Sequence, residues 1–223
     1  ADKASNEVIV DGLKNLDCKI PILSEEEKNV EYKIRKNWDI FWLVDPLDGT
    51  KEFINQNNEF TVNIALIKNH NPVLGVIYAP ALSTLYYACR NNGSHKLFIE
   101  ENLDSISGSI EIRTLNKKKT DHLRVFESRS HSNVEFQKWV NENIKDYELI
   151  KKGSSLKFCE LAEGRVDLYP RFGPTSEWDI AAGHIILIEA GGELESVDHE
   201  KILYNKKESV INPHFIASCN LNN

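Results

Sequence analysis

The sequence predicts a mixed fold, α+β in its first half and α/β in its second, built as two sheet-based lobes with a cleft between them. Three observations predict it. FTVNIALI (60–67), VLGVIYAP (73–80) and TLYYAC (84–89) are rich in β-branched and aromatic residues and are joined by short turns carrying Asn, Pro and Ser, the pattern of an antiparallel meander. From residue 123 onward, strand-length and helix-length apolar segments alternate. No internal repeat or low-complexity linker separates the halves, and the expected boundary lies at the end of the polar region 91–121, giving lobes 1–121 and 122–223.

Ala4, Val8, Gly12 and Leu13 recur at helical spacing, so residues 3–16 are expected to form an amphipathic helix. The chain enters that pattern at once and contains no methionine, so a further helical segment is expected upstream. Ile20–Leu23 reads as a short strand running into Ser24-Glu25-Glu26-Glu27, the charged stretch 25–37 as a loop or short helix, and 40–44 as a buried strand. Beyond the meander, LRVFESR (123–129) reads as a strand and 133–144 as a helix. SSLKFCELAEG (154–164) is a second helix ended by glycine, and VDLYPRF (166–172) the strand after it. EWDIAAGHIILIEAGG (177–192) is a long apolar helix with small residues near its start, and strands follow near 193–197 and 214–218.

With 223 residues, 41% hydrophobic and 27% charged, the composition is that of a globular protein able to bury a full core. A net charge of −7 argues against a general nucleic-acid binder, and no apolar run approaches the roughly 18 residues of a membrane span. Cys18, Cys89, Cys159 and Cys219 are far apart, form no CxxC pair and sit in apolar surroundings, so reduced, buried thiols of a cytosolic protein are expected.

The chemistry is concentrated in DPLDGTKEF (45–53), which directly follows the buried strand. Proline stiffens the turn, so Asp45 and Asp48 can converge with the Leu47 carbonyl between them, an all-oxygen set suited to a hard cation such as Mg²⁺. Gly49 lets the backbone approach closely. Thr50-Lys51-Glu52-Phe53 can open a helix whose free N–H groups face an anion. The pattern D-x-x-D-G also occurs in ordinary turns. Glu25 follows a strand and can stand at a sheet end, although a solvated acidic run is the ordinary alternative. Asp179 opens the long helix, where an acid also complements the helix dipole.

Taken in order, PILSEE (21–26), WLVDPLDGTKEF (42–53) and EWDIAAGHIILIEAGG (177–192) resemble the lithium-sensitive, magnesium-dependent phosphatases of the inositol monophosphatase superfamily. The likeness continues through FTVNIAL, GVIYAP, SRSH (128–131), GSSLKFC (153–159) and LYPRFGPT (168–175), which are similar to the bacterial 3′(2′),5′-bisphosphate nucleotidase branch. The family's first helical segment is missing, and Ala1-Asp2 matches only the end of its T-x-A-D element.

The resemblance implies a layered αβαβα sandwich with the metal site between the lobes, and two Mg²⁺ ions with a weaker third. Glu25, Asp45 and the Leu47 carbonyl would hold one ion; Asp45, Asp48 and Asp179 a second, with Asp45 bridging. Thr50 and Glu25 would orient the attacking water, with Asp2 supporting that water or the third ion. The Gly49 and Thr50 amides would meet the scissile phosphate. His131, Ser154, Lys157 and Arg171 match or approximate nucleotide-holding positions; a loop histidine and a surface salt-bridge arginine are the plain alternatives for His131 and Arg171. The implied substrate is adenosine 3′,5′-bisphosphate (PAP), converted to AMP in sulfur assimilation, with PAPS a further one. The implied location is cytoplasmic, with peripheral attachment to the inner membrane as a family variant. Inositol monophosphate or another sugar phosphate is the alternative substrate, and an inactive nucleotide-binding homologue the alternative of another class. Oligomeric state is not set by the sequence.

Elementary electrostatics favours such a set. A phosphate monoester dianion repels hydroxide and an acidic protein alike, so cations must invert the local field. Haloacid-dehalogenase phosphatases also place Asp-Gly-Thr after an apolar strand, but their acids are spaced D-x-D rather than the D-x-x-D found here, and no later G-D-x-x-x-D follows.

Overall fold

The computed structural model describes residues 1–16, 19–27, 30–99, 108–118, 120–129 and 133–222. In chain order, the first half runs α1 (Asp2–Asn15), β1 (Ile22–Ser24), α2 (Tyr32–Arg35), β2 (Ile40–Asp48), α3 (Thr50–Ile54), β3 (Thr61–Lys68), β4 (Asn71–Ala79), β5 (Thr84–Cys89), β6 (Ser94–Phe98), β7 (Ile110–Ile112) and β8 (Asn116–Lys118). The second runs β9 (Leu123–Ser128), α4 (Val134–Asn143), β10 (Tyr147–Lys152), α5 (Leu156–Ala162), β11 (Leu168–Arg171), α6 (Glu177–Glu189), β12 (Glu193–Ser196), β13 (Phe215–Ser218) and β14 (Asn220–Asn222).

Strands β1 to β7 form a seven-stranded sheet in sequence order, antiparallel except for the parallel β1–β2 pair. A second, five-stranded sheet has the order β10-β9-β11-β13-β12. Three apolar clusters set the layers. On the outer face of the first sheet, Leu13 of α1 packs on Trp42 and Val44. Between the sheets, α5 and α6 share one core with Leu43, Ile67 and Ile77 on one side and Phe126, Tyr169 and Phe215 on the other. On the outer face of the second sheet, Phe136 and Val140 of α4 cover Leu123 and Val125. The result is the αβαβα sandwich expected of the resemblance.

Helix α6 is apolar over most of its surface because both sheets and α5 pack around it, so Ile180, Ala181, Ala182, Ile185 and Ile186 are all buried, while Ile188 near its end is exposed. The small residues near its start permit close approach: a Cβ on Gly183 would lie 2.5 Å from the Phe158 ring of α5.

Strand β2 continues to Asp48 rather than ending at Val44 as expected. Pro46 lacks an N–H and would interrupt a regular ladder, and the chain absorbs it in a bulge. Asp45 pairs with Asn63 and Asp48 with Thr61, so three steps on β2 match two on β3. That extra residue decides where the acids point. In a regular strand two residues three apart face opposite sides; here both are opposite residues two apart on β3, and they share one face.

Strands β6 and β7 extend the meander into the region expected to be merely polar, and β10 was not anticipated. YELIKK is half charged, as befits an edge strand protected by lysines. Cys159 and Cys219 are free and buried, whereas Cys89 is exposed, at the end of β5 where the chain turns outward; Cys18 lies outside the described residues. No helix among the described residues is long and apolar enough to cross a membrane.

Candidate active site

A cavity of about 250 Å³ opens where β2 ends, α3 and α6 begin, and the β10–α5 loop crosses over. Asp48 and Asp179 line it, as do Gly49 and Thr50, and so do Ser154, Lys157 and Arg171. Asp45, only 1% exposed, stands behind this wall, with Glu25 beside it in the loop after β1.

Each acid has a local anchor. Asp45 Oδ1 accepts the Leu47 N–H at 3.0 Å across the bulge. Asp48 Oδ2 accepts the Ser155 N–H at 2.5 Å and, at 3.5 Å, the Asn63 side-chain amide. Asp179 Oδ2 accepts the Ser176 N–H at 2.9 Å, closing the capping box of α6. The helix-capping role and the site role therefore coexist, because the second oxygen remains available to the cavity. The start of α6 is pinned by buried Glu177, which accepts the Asn205 N–H at 2.8–3.0 Å, while the Asn205 side chain is bonded to Arg35.

The electrostatics is that of crowded carboxyls, opposed by the charge of Lys157 at Asp48 and of Arg171 at Asp179. Burial raises Asp45 well above the ordinary carboxylate range, and the charges of Asp48, Asp179 and Glu25 add to it. Burial followed by the charge of Asp48 lifts Asp179 to about 7. Asp48 is also raised by burial, against the opposing charge of Lys157. Part-burial raises Glu25, which accepts a hydrogen bond from Asp45 and feels the charges of Asp48 and Asp2. Asp2 lies in the first turn of α1 and is about one-third exposed.

No ion pair among the described residues involves Glu25, Asp45, Asp48 or Asp179. Among those residues no group of three or more His, Cys, Asp or Glu already stands in a metal-holding arrangement, as expected of like charges that repel one another and share a proton. The donor set fits a hard divalent cation: all oxygen, four carboxyls, and no competing lysine or arginine bridge.

Gly49 caps α3 at φ +87°, a conformation that side chains resist, and a Cβ there would meet the Glu59 carbonyl oxygen at 3.0 Å. Thr50 Oγ1 donates to the Leu47 carbonyl at 3.3 Å, which leaves its lone pairs to accept from a cavity water. Lys157, expected outside the acid cluster, is instead buried beside it. Its ammonium donates to the Ser154 and Lys152 carbonyls at 2.7 and 3.3 Å and lies 5.1 Å from the Tyr169 ring centre. Burial lowers its pKa to about 8 against the opposing charge of Asp48. Arg171 is buried too; one amino group donates to the Pro174 carbonyl at 3.0 Å while Nε has no partner, so the surface-salt-bridge alternative does not hold. His131 lies outside the described residues.

Sequence reasoning passed over Thr61, Asn63, Ser155, Glu59 and Arg129. A signal existed for two of them. Thr61 and Asn63 are the polar residues at i and i+2 of an otherwise apolar strand, and hence on one face of it.

A sequence model of the inositol monophosphatase family matches residues 1–220. The chain is 45% identical over 215 residues, 96% of its length and 82% of the relative's, to the 3′(2′),5′-bisphosphate nucleotidase CysQ of Salmonella typhimurium. Its fold matches the crystal structure of CysQ from Bacteroides thetaiotaomicron with a TM-score of 0.88 at 42% identity, over 98% of this chain and 83% of that one. An IMPase/NADP phosphatase solved with Mg²⁺ and phosphate shares the fold at a TM-score of 0.75 and 20% identity, over 97% of this chain and 75% of that one. On the near-complete match, this chain belongs to the inositol monophosphatase family.

Proposed function

We propose that the chain is a magnesium-dependent 3′(2′),5′-bisphosphate nucleotidase that removes the 3′-phosphate of PAP and leaves AMP. One observation carries this reading: a single cavity is lined by the acids Asp48 and Asp179 together with two buried cationic side chains, Lys157 and Arg171. Acids alone suit any metal-dependent phosphatase, whereas paired cations beyond them suit a substrate with a second anionic group. The relative's name and 45% identity support the same substrate class.

In this reading Glu25, Asp45, Asp48, Asp179 and the Leu47 carbonyl would hold magnesium, with Asp2 as a further acid of the set. Bound there, magnesium supplies positive charge for the phosphate and lowers the pKa of the water that attacks phosphorus. Thr50, already donating to Leu47, accepts from that water and aims it, with Glu25 as its other partner. The Gly49 and Thr50 main-chain N–H groups face the scissile phosphate, whose ester oxygen leaves as the 3′-hydroxyl. Ser154, Lys157 and Arg171 hold the rest of the nucleotide, and the unpartnered Nε of Arg171 is a donor waiting for an anion.

The test is phosphate release with Mg²⁺ from PAP, PAPS, inositol 1-phosphate, fructose 1,6-bisphosphate and AMP. The expected outcome is a kcat/KM for PAP at least about tenfold above that for inositol 1-phosphate, the loss expected when one charge-assisted contact is absent. A preference for inositol 1-phosphate overturns the substrate assignment.

A further inference from the structure

Behind the acid wall lies a buried polar chain that none of the proposed ligand contacts requires. Thr61, Asn63 and Ser155 are at most 2% exposed. Thr61 Oγ1 is hydrogen-bonded to Ser155 Oγ at 2.8 Å, and Ser155 Oγ donates to Asn63 Oδ1 at 2.7 Å. The Asn63 amide and the Ser155 main-chain N–H then both point to Asp48 Oδ2. Three hydrogen-bonding side chains with no water-exposed surface are costly unless mutually satisfied, and here each is. They join β3 of the first sheet to the loop that enters α5.

That loop also carries Ser154, held at φ +48°, a backbone conformation unfavourable for serine. The Ser154 carbonyl receives the Lys157 ammonium. One short segment therefore fixes a cavity acid through the Ser155 N–H and presents two proposed nucleotide contacts through Ser154 and Lys157. A shift of the loop cannot alter one set without altering the other.

We propose that Thr61, Asn63 and Ser155 are positioning residues that couple nucleotide binding to metal binding through Asp48. The inference rests on the nucleotidase reading above. Binding of a nucleotide by Ser154 and Lys157 fixes the loop and hence Asp48, which raises affinity for the divalent ion; by linkage, the ion raises affinity for the nucleotide by the same factor. Thr61 stands opposite Asp48 in the β2–β3 ladder and reaches the loop through its side-chain bond to Ser155.

Isothermal calorimetry of Mg²⁺ binding, with and without saturating AMP, tests the coupling without turnover. In the unaltered protein AMP is expected to tighten Mg²⁺ binding at least about fivefold, the lower end of common coupling factors. In Ser155→Ala and in the near-isosteric Thr61→Val, each ligand is expected to bind alone while the enhancement falls below about twofold, since both variants keep the Ser155 N–H. Thermal melts identify any variant that does not fold, and the measurement on the unaltered protein stands independently of both. If AMP binds but leaves Mg²⁺ affinity unchanged, or if both folded variants retain the full enhancement, the coupling is overturned and the nucleotidase reading stands. If AMP does not bind at all, both fall together.

Discussion

Glu59 Oε2 accepts the main-chain N–H of Gly153 at 2.7 Å, across 94 residues of chain. The same carboxylate takes two hydrogen bonds from Arg129 at 2.9 and 3.1 Å. Glu59 thereby ties the segment entering β3 to the loop carrying Ser154 and holds Arg129 at the cavity rim. Removing the carboxylate should loosen substrate binding without touching the acids. Glu59→Ala is expected to raise KM for PAP by about tenfold, with kcat within about twofold, as for the loss of a charged hydrogen-bond partner. Glu59→Gln should fall between, because its amide oxygen can still accept from Gly153. Equal KM values in all three proteins count against this role.

Asp45→Asn separates chemistry from folding. Asp45 is buried against three other carboxyls, so neutralising it is expected to lower kcat/KM with Mg²⁺ by more than about a hundredfold. The metal-free protein should keep or gain stability, with each kcal/mol of relieved repulsion raising Tm by about 2–4 °C in a chain of this size. Steady-state kinetics beside a melt in EDTA reads both. Activity near that of the unaltered protein, or a collapsed fold, goes against the shared-acid assignment.

Much of this arrangement was legible in the sequence because its signals are local. The apolar run ending in Asp45 and Asp48, the acid opening α6 and the small residues behind it each follow from spacing and residue type. Other features depend on partners far along the chain. The bulge at Pro46-Leu47 is set by pairing with β3, which decides that Asp45 and Asp48 face one way. Lys157, expected as a nucleotide contact outside the acids, has its burial set by Tyr169 and the Ser154 carbonyl. Strand β10, half charged and at a sheet edge, carries no alternation strong enough to announce it.

Lys157→Ala tests the cationic side of the cavity. The ammonium is buried over Tyr169, donates to two carbonyls and is held charged by Asp48 at the cavity wall. The expected outcome is a KM for PAP raised ten- to a hundredfold, about 1.5–3 kcal/mol of charge-assisted binding, with a smaller effect on kcat. Lys157→Met, which retains the apolar stem over Tyr169, should show the same KM defect with less loss of thermal stability. A KM within twofold in both variants places the nucleotide elsewhere.

His184 provides a pH signature remote from the cavity. Its Nδ1 is hydrogen-bonded to the Tyr204 hydroxyl at 2.9 Å, and burial lowers its pKa to about 4. The unfolded chain titrates near 6.5, so between the two values the unfolded state binds more protons and acid favours unfolding. The stability associated with neutral His184 is fully present above about pH 6.5 and is lost as pH falls through about 4, a swing on the order of 3 kcal/mol. Denaturant melts across that window should show His184→Gln with a flatter dependence than the unaltered protein. Parallel curves exclude His184 as the source.

The most direct test of the central claim is ³¹P NMR of PAP incubated with the protein, with Mg²⁺ and in EDTA. With Mg²⁺ the 3′-phosphate resonance is expected to disappear as inorganic phosphate and AMP appear, the 5′-phosphate staying on the nucleotide; in EDTA the spectrum should not change. Adenosine 3′-phosphate as the product, or equal turnover with and without Mg²⁺, would contradict the account.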